Sequence, residues 1–273
     1  MNNSTRTAFI TGAAQGIGRS TAEILLDRGW TVGVYDISDD VSWAEGRKGA
    51  VTGHLDVRDP DEWREALRSF AEVAGGRIDV IVNNAGVLYG GAFEDAGIDV
   101  DERIIDVNVK GVTYGAKLGL PYLKESRGQL INLASAAAIY GTPDLATYSA
   151  SKFAVRGLTE ALDYEWRPHG IRVAAVWPLF ADTGLLDGVA TTGTSRLGIR
   201  LTADDVAKAV VDCIDAGYAE DNGTGARTTK CPAKVHYPVG LQAKVLFAGS
   251  FISPPFLTRF VNGKLTTKRK IGF

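Results

Sequence analysis

The chain has 273 residues, of which 45% are hydrophobic and 23% charged, a composition typical of a folded globular protein and not of a disordered one. A net charge of −2 argues against a general nucleic-acid-binding protein. Two cysteines and three histidines are too few for a disulfide framework or a cysteine–histidine zinc site. The length suits one large domain or two small ones.

Neither terminus nor interior indicates a membrane segment. Residues 1–7 hold no apolar run of signal-peptide length. No stretch reaches the roughly 18 apolar residues needed to span a bilayer. We therefore expect a reduced, cytoplasmic protein with no bound metal and no nucleic acid among its partners.

Short β-branched or apolar runs alternate along the chain with longer segments of helical periodicity. In chain order we predict a strand at Thr7–Thr11, a helix at Ile17–Arg28, strands at Thr31–Tyr35 and Gly49–Leu55, a helix at Asp59–Ala74, a strand at Ile78–Val82, a helix near Val100–Lys124, a strand at Gln129–Leu133, a helix near Tyr148–Arg167, a strand at Arg172–Val176, a helix at Thr202–Ala216 and a strand at Lys234–Tyr237. This alternation predicts an α/β fold, a Rossmann-type doubly wound parallel sheet with helices on both faces.

No linker interrupts residues 1–239, which we interpret as a single doubly wound domain. Residues 240–273 form a C-terminal extension that is apolar and basic. The extension carries six Lys/Arg and no Asp/Glu, whereas residues 1–239 have a net charge of −8.

The first predicted strand leads into the sequence TGAAQGIG, Thr11–Gly18. Three glycines at a strand-to-helix turn allow the backbone to approach a pyrophosphate, and the helix N-terminus favours its negative charge. The alternative is a glycine-rich turn without a ligand. Because the motif joins the first strand to the first helix of an α/β sheet, we favour the phosphate-binding function.

Asp36 ends the second strand, 18 residues after Gly18. A carboxylate at this place accepts hydrogen bonds from the adenosine ribose hydroxyls and repels a 2′-phosphate. No Arg or Lys follows at Ile37 or Ser38, and the loop position that is often basic in NADP-binding proteins is Gln15. The pattern favours NAD over NADP, although a solvated turn residue is the alternative function of Asp36.

Tyr148 and Lys152 are four residues apart at the start of a predicted helix, so their side chains share one face. An ammonium group and an oxidised nicotinamide near a phenol would lower its pKa from about 10 and make it a usable base. Ser135 follows the strand Gln129–Leu133, where its hydroxyl can reach a substrate oxygen. Each of these signals is weak alone.

Together the motifs resemble those of the short-chain dehydrogenase/reductases, in the short single-domain branch. They occur in register over residues 7–239: TGAAQGIG at Thr11–Gly18, Asp36, Asp56-Val57, NNAG at Asn83–Gly86, Asn108, Ser135, YSASK at Tyr148–Lys152, and Pro178 to Thr183. The resemblance implies an NAD-dependent oxidoreductase.

The same resemblance implies which residues hold the cofactor. The set comprises Gly12, Gln15, Gly16, Ile17 and Gly18 along the pyrophosphate and ribose, Asp36 at the adenosine ribose, Asp56 and Val57 at the adenine, Asn84 and Gly86 at the end of the fourth strand, Tyr148 and Lys152 at the nicotinamide ribose, and Pro178 and Thr183 at the nicotinamide.

The catalytic residues implied by the resemblance are Tyr148 as general acid/base, Ser135 orienting the substrate oxygen, Lys152 assisting Tyr148, and Asn108 holding a water in a proton relay. In oxidation, Tyr148 takes the alcohol proton while hydride moves to the nicotinamide, and reduction is the reverse.

Two departures from the family pattern concern the substrate side. The family's Pro-Gly is here Pro178-Leu179, and its usual C-terminal strand with a Gly-Gly ending is absent. The pocket is predicted to be lined by apolar residues without Arg or Lys, namely Ala136, Ile139, Tyr140, Leu145, Leu179, Phe180, Leu185 and Leu186. We therefore expect a neutral, apolar, medium or bulky secondary alcohol or ketone.

The extension contains four phenylalanines, Phe247, Phe251, Phe256 and Phe260. Because an exposed cluster of this kind is unfavourable, we expect Gly240–Phe260 to pack near the substrate entrance or across a subunit interface. Contact with an anionic membrane is the second interpretation. The resemblance implies a homotetramer built on the helices near 100–124 and 148–167, with a dimer as the alternative.

Two other functions remain open at this point. An isomerase or dehydratase with bound NAD resembles the longer family branch, for which 273 residues leave little room. A non-catalytic nucleotide-sensing regulator of the same fold is disfavoured by the intact Ser135, Tyr148 and Lys152.

Overall fold

The computed structural model describes residues 5–186, 191, 198, 200–218 and 234–252. The strands are β1 (Thr7–Thr11), β2 (Thr31–Asp36), β3 (Ala50–His54), β4 (Val80–Asn83), β5 (Gln129–Leu133), β6 (Arg172–Pro178), β7 (Ala181–Asp182), β8 (Leu201–Thr202) and β9 (His236–Val239). The helices are α1 (Gly16–Asp27), α2 (Pro60–Val73), α3 (Ile98–Ile105), α4 (Val112–Ser126), α5 (Ala146–Trp166), α6 (Ala203–Ala216) and α7 (Gly240–Ile252).

Seven parallel strands form the main sheet in the order β3-β2-β1-β4-β5-β6-β9. The chain winds outward from β1 in one direction and then, from β4, in the other. Ligands of such sheets bind at the carboxyl ends of the strands where the order reverses, which here is between β1 and β4.

Side chains along β1 alternate between the two faces of the sheet. Ala8 and Ile10 pack in a core with α1 and α6, whereas Phe9 packs on the opposite face with Trp63 and Phe70 of α2. The Phe9 and Phe70 rings meet edge to face with centroids 5.7 Å apart. The predicted α/β fold, a doubly wound parallel sheet covered on both faces, is confirmed.

Two helices begin with caps that the local sequence specifies. The Asp59 carboxylate accepts hydrogen bonds from the backbone N–H groups of Asp61 and Glu62, and Pro60 occupies the first helical position of α2. At α6, Thr202 and Asp205 form a reciprocal capping box, which confirms the start predicted for this helix.

The helix predicted near Val100–Lys124 is found as the continuous helical stretch of α3 and α4. A π-helical turn at Asp106–Gly111, which the sequence did not predict, joins the two. Within that turn Asn108 is completely buried, and its side chain is hydrogen-bonded to the backbone of Val87. A wider turn of this kind re-aims side chains without ending the helix.

The last strand, predicted at Lys234–Tyr237, is found two residues further along the chain as β9, which pairs in parallel with β6 from Ala175↔His236 to Pro178↔Val239. Helix α7, which the sequence pattern did not predict, follows directly. Its buried Ala243 and partly buried Leu246 and Phe247 pack on the domain around Trp177, a residue of β6.

Phe251 and the aromatic residues beyond it have side chains outside the described part of the chain, as does Cys231. Cys213 is a buried free thiol. Within the described ranges, no helix is both long enough and apolar enough to cross a membrane. The same ranges contain no cluster of three His, Cys, Asp or Glu residues suited to a metal ion.

We predict that Phe247→Ala lowers the free energy of unfolding by about 1–3 kcal/mol, because the ring loses its edge-to-face contact with Trp177. Val245 lies two residues away on the same helix and is 62% exposed, so Val245→Ala should change stability by no more than about 0.5 kcal/mol. Urea unfolding of both variants measures the difference. Equal effects would mean that α7 is not docked as described.

Candidate active site

The turn between β1 and α1 requires glycine at two positions. Gly12 has φ +65°, and a Cβ there would lie 2.8 Å from the Ala85 Cα. A Cβ on Gly18 would overlap the Gly12 carbonyl oxygen and come within 2.6 Å of the Asn84 amide nitrogen. The bare backbone therefore lets α1 start directly against the end of β1.

The N-terminus of α1 has no side-chain cap. Its N-cap residue, Gln15, is exposed and makes no capping hydrogen bond with its side chain. The first N–H groups of a helix need an external acceptor, and the helix dipole favours an anion there. The loop thus fits the pyrophosphate of a dinucleotide, by both shape and charge.

Asp36 lies at the carboxyl end of β2 and braces this loop. One carboxylate oxygen accepts the backbone N–H of Ala14 at 2.9 Å, and the other accepts that of Ser38 at 3.0 Å. Each oxygen retains a further lone pair for a ligand. The brace to Ala14 was not predicted, since sequence spacing does not show which residues meet across a turn.

Asp56 and Val57 follow β3 and line the same cleft. The Arg58 side chain donates to the Asp56 carboxylate and holds the pKa of that carboxyl below its usual range. Arg58 and Arg103 also line the cleft and were not predicted. Arg58 stands two residues beyond a predicted site residue, whereas Arg103 reaches the cleft only through the placement of α3.

Asn84 connects β4 to the phosphate loop. Its side-chain amide donates to the carbonyl oxygens of Thr11 and Gly12, both at 2.9 Å. The neighbouring Asn83 donates to Asn132 Oδ1 at 2.9 Å and so connects β4 with β5. These amides hold the strand ends in place, in addition to any contact of Asn84 with the adenosine ribose, which the resemblance implies and which stays a prediction.

A cleft with a cavity volume of about 380 Å³ runs along the carboxyl ends of the strands. Every residue assigned to cofactor binding from the sequence lines it except Gly18, which is buried behind the loop. The structure thus brings together residues from seven separate segments of the chain. An elongated ligand of dinucleotide size suits this cleft.

Lys152 is buried at the inner end of the cleft. Its Nζ donates a hydrogen bond to the Leu133 carbonyl oxygen at 2.8 Å and lies 5.5 Å from the centre of the Tyr148 ring. Burial lowers the pKa of Lys152 to about 8. The side chain is therefore mainly an ammonium ion at neutral pH, with its position fixed by β5.

Tyr148 is also buried, and burial raises its pKa to about 12, while a hydrogen bond with Ser135 acts in the opposite direction. The expected lowering of the Tyr148 pKa is therefore not found in the protein alone, because desolvation outweighs the hydrogen bond with Ser135. Ser135 also accepts the Ala137 N–H at 3.1 Å, which fixes the turn after β5. The phenol is a proton donor in this state.

The Asn108 side chain is fully engaged within the protein. Its Oδ1 accepts the Val87 N–H at 2.9 Å, and its Nδ2 donates to the Val87 carbonyl at 2.8 Å and to Ser151 Oγ at 3.0 Å. Both amide hydrogens are used, so the side chain fastens the loop after β4 to α5. The predicted role in a water relay stays a prediction.

A smaller apolar cavity of about 60 Å³ opens beside Tyr148 and Ser135. Six of the predicted lining residues are found there, namely Ala136, Tyr140, Leu145, Leu179, Phe180 and Leu185. The prediction for Ile139 is wrong, because its side chain packs in the core with Trp177 and Val155. The side chain of Leu186 lies outside the described residues.

Leu88 and Thr142 line this cavity without having been predicted. Leu88 follows the NNAG segment in the loop after β4, at the carboxyl edge of the sheet where ligands of this fold bind. That topological signal was available in the sequence. Thr142 gave no comparable signal, since it reaches the cavity through the irregular segment between β5 and α5.

A family profile described as short chain dehydrogenase matches residues 6–192. The chain belongs to the short-chain dehydrogenase family. It is an oxidoreductase acting on the alcohol–ketone pair, and the family assignment made from the sequence motifs is confirmed. The core of the catalytic domain is thus accounted for by the match, whereas the extension lies beyond it.

Two relatives are similar to this short-chain dehydrogenase over about two thirds of its length. Trans-4-hydroxycyclohexanecarboxylate dehydrogenase of Sinomonas cyclohexanicum is 35% identical over 196 residues, which are 67% of this chain and 75% of the relative. The 3-alpha-(or 20-beta)-hydroxysteroid dehydrogenase of Mycobacterium tuberculosis is 37% identical over 188 residues, 67% of this chain and 72% of the relative.

Solved structures have the same fold. The 3-ketoacyl-(acyl-carrier-protein) reductase of Brucella melitensis, complexed with NADH, has a TM-score of 0.74 and 26% identity, covering 86% of this chain and 96% of its own. A short chain dehydrogenase of Burkholderia cenocepacia J2315 has a TM-score of 0.79, covering 98% and 100%, but its 22% identity shows the fold alone.

We predict that Lys152 makes stability depend on pH. Between about pH 8 and 10.5 the unfolded chain keeps the Lys152 proton that the folded protein has lost, so stability rises with pH in this interval. Below pH 8 the buried ammonium penalty is fully present. Urea unfolding of wild type and Lys152→Met across this range should give a stability difference that changes by roughly 3 kcal/mol.

Other titrating groups cancel in that difference because both proteins contain them. Tyr148 acts in the opposite sense, since its raised pKa makes stability fall above pH 10, again equally in both proteins. A difference that stays flat from pH 8 to 10.5 would show that Lys152 is not desolvated in the folded protein.

Proposed function

We propose that the protein uses NAD to interconvert a neutral, apolar secondary alcohol and its ketone, with Tyr148 as the general acid/base. One observation carries this proposal. Tyr148 lines both the long polar cleft and the small apolar cavity, and Pro178 and Thr183 do the same. A cofactor in the cleft and a substrate in the cavity would meet at this phenol.

The residues along the cleft fit a dinucleotide from end to end. The pyrophosphate would lie on the N-terminus of α1 at Gly12–Gly18, with the adenosine ribose at Asp36 and the nicotinamide near Pro178 and Thr183. The bound nicotinamide ring supplies the acceptor or donor of the hydride. The protein contributes position and charge.

Tyr148 would exchange the proton with the substrate oxygen, and Ser135 would hold that oxygen by a hydrogen bond. The protonated phenol is the form needed to donate to a ketone, and its raised pKa preserves that form at neutral pH. In the oxidative direction Tyr148 must accept a proton, which becomes easier as positive charge gathers around it. Lys152 provides one such charge from its position on the same face of α5.

The lining of the small cavity sets the proposed substrate class. Among the described residues around it, none carries a formal charge. A free carboxylate or phosphate would be desolvated there without a partner, which is unfavourable. Both relatives are named for ring alcohols, which supports cyclic secondary alcohols as the first compounds to examine. The hydroxysteroid fits the uncharged lining, whereas the hydroxycyclohexanecarboxylate carries the carboxylate that this lining disfavours.

We further propose that the protein is a homo-oligomer, a tetramer or a dimer. Ile98 on α3 is 78% exposed, Phe153 on α5 is 40% exposed and Tyr164 on α5 is 72% exposed. Apolar surface on neighbouring long helices is typical of helix-to-helix subunit contacts. Static light scattering measures the number of subunits directly.

We predict that Tyr148→Phe reduces kcat by about 10²–10⁴-fold, because loss of a positioned general acid/base has an effect of this size. NAD affinity should remain nearly unchanged. Tyr140→Phe is the matched control, since it removes a second buried phenol from the same cavity and should affect turnover far less. The absorbance of reduced nicotinamide, followed with cyclic secondary alcohols as substrates, gives kcat for the wild type and for both variants.

Retention of most activity by Tyr148→Phe would contradict the mechanism. NAD binding by the wild type without turnover across a broad panel of alcohols and ketones would instead favour the nucleotide-sensing regulator.

We predict a preference for NAD over NADP, because the Asp36 carboxylate would face the 2′-phosphate, and like charges in contact typically disfavour binding by several kcal/mol. Asp36→Asn should narrow this preference while keeping an acceptor for the Ala14 N–H. Asp36→Ala combined with Ile37→Arg should move the preference toward NADP, since Ile37 also lines the cleft. Equal kcat/KM for both cofactors in the wild type would contradict the prediction.

The Asp36→Ala and Asp36→Asn substitutions distinguish the effect of the negative charge from that of the hydrogen bonds to the phosphate loop. Asp36→Ala removes the brace of the phosphate loop together with the charge, so it should weaken both cofactors. Asp36→Asn removes the charge and one of the two acceptors, because its single amide oxygen can keep the Ala14 N–H but not also that of Ser38, so its melting temperature should fall less than that of Asp36→Ala.

A further inference from the structure

Two cavities meet at the segment that follows β6. The first, of about 60 Å³, lies beside Tyr148 and Ser135, and we call it the reaction cavity. The second cavity, of about 140 Å³, lies at the start of α7. Among the described residues, Leu179 and Phe180 alone line both cavities, so these two side chains form the wall between them.

The two residues of this wall are packed differently. Phe180 is buried in one cluster with Leu145 and Tyr148, so its ring supports the catalytic phenol. Leu179 is only partly buried, and it contacts both this cluster and the one around Trp177. The isobutyl group of Leu179 is therefore the part of the wall that can be shortened without removing a direct support of Tyr148.

The second cavity suits an apolar group. Leu201, Val239 and Leu241 contribute apolar side chains to its lining. Arg200, the one charged side chain among the described lining residues, is exposed, so its charge is solvated. Transfer of a hydrocarbon ring from water into such a space is favourable. The second cavity is also the larger of the two, so removing the wall would greatly extend the space open to a substrate.

We propose that Leu179 determines substrate specificity by closing the reaction cavity toward the second cavity. A ring that carries the reacting carbon fits beside Tyr148, whereas a further fused ring directed at the wall must displace a side chain that is packed on both sides. Leu179 is also the residue at which the chain departs from the family's Pro-Gly pair. The inference rests on the proposed function and narrows the substrate from medium or bulky to medium.

Reduction of two ketones by NADH tests the proposal. Cyclohexanone has one ring, and 2-decalone adds a second ring fused to it. We expect the wild type to have the higher kcat/KM with cyclohexanone. Leu179→Ala should raise kcat/KM for 2-decalone relative to cyclohexanone by about tenfold or more, because each carbon admitted to an apolar pocket strengthens transition-state binding. A ratio that is unchanged in Leu179→Ala, or a wild type that prefers 2-decalone, would overturn the proposal.

A matched variant separates removal of the wall from simple enlargement of the reaction cavity. Leu185 lines the reaction cavity but not the second cavity, so Leu185→Ala deletes the same atoms without joining the two. Its 2-decalone to cyclohexanone ratio should change by less than about threefold. Leu179→Val should lie between the wild type and Leu179→Ala, with less loss of packing. An equal gain in Leu185→Ala and Leu179→Ala would contradict the role of Leu179.

A further substitution shows whether the added ring enters the second cavity. Leu201 lines that cavity and not the reaction cavity, so Leu201→Phe should reduce the space beyond the wall. Combined with Leu179→Ala, it should reverse most of the gain with 2-decalone, whereas alone it should leave the reduction of cyclohexanone nearly unchanged. The melting temperature of each variant confirms that it is folded. A gain that persists in the folded double variant would mean that the second cavity does not receive the ring.

Calorimetry of ketone binding to the protein with NADH distinguishes failure of this inference from failure of the proposed function. If the wild type reduces cyclohexanone but Leu179→Ala changes neither kcat/KM nor Kd for 2-decalone, the inference is wrong and the proposed function stands. If no protein reduces either ketone, yet Leu179→Ala binds 2-decalone about tenfold or more tightly than the wild type, the proposed function is wrong and the closing role of Leu179 stands. Absence of 2-decalone binding by Leu179→Ala would overturn the inference.

Discussion

The close approach of α1 to the end of β1 is the constraint on which the site depends. It exists because Gly18 has no side chain, so that the Gly12 carbonyl and the Asn84 amide occupy the space a Cβ would fill. The helix can therefore start beside the sheet with its uncapped N–H groups directed at the cleft. Any larger residue would push the helix away and open the loop.

Polar cross-links then fix the carboxyl ends of the strands relative to one another. Asn84 joins β4 to the phosphate loop, Asn108 fastens the next loop to α5, and Lys152 is held by the Leu133 carbonyl. Because Asn108 and Lys152 are buried, leaving either unpaired would destabilise the fold. The hydrogen bonds that stabilise the sheet edge thus also fix the position of Lys152 in the cleft.

Burial shifts the pKa values of Tyr148 and Lys152 in opposite directions, and in both cases toward the neutral form. At neutral pH Lys152 nevertheless remains mainly an ammonium ion, and Tyr148 remains a phenol.

The C-terminal helix is linked to the catalytic turn through a chain of contacts. Phe247 packs on His236, whose ring contacts Trp177 at 4.6 Å and whose Nε2 lies 2.8 Å from Glu160. Arg156 pairs with Glu160 and donates to the Ala138 carbonyl, in the turn after Ser135. Helix α7 is therefore connected to the turn after Ser135 through His236, Glu160 and Arg156.

Local sequence determined the regular elements and the composition of the site. Strand β1 is predicted residue for residue, because a short continuous apolar run between turns is typical of a strand buried on both faces. The capping box of Thr202 and Asp205 can also be predicted from local sequence, since the two residues are three positions apart. The glycine spacing and the YSASK segment identified the cleft residues, because motif and function are both local in the chain.

Tertiary structure decided what depends on partners distant in sequence. The π-helical turn at Asn108 follows from a hydrogen bond to Val87, which lies 21 residues away. Ile139 faces the core instead of the pocket because Trp177 on β6 lies there. The raised pKa of Tyr148 and the docking of α7 come from burial by several elements at once, and burial is a property of the assembled fold that no local pattern encodes.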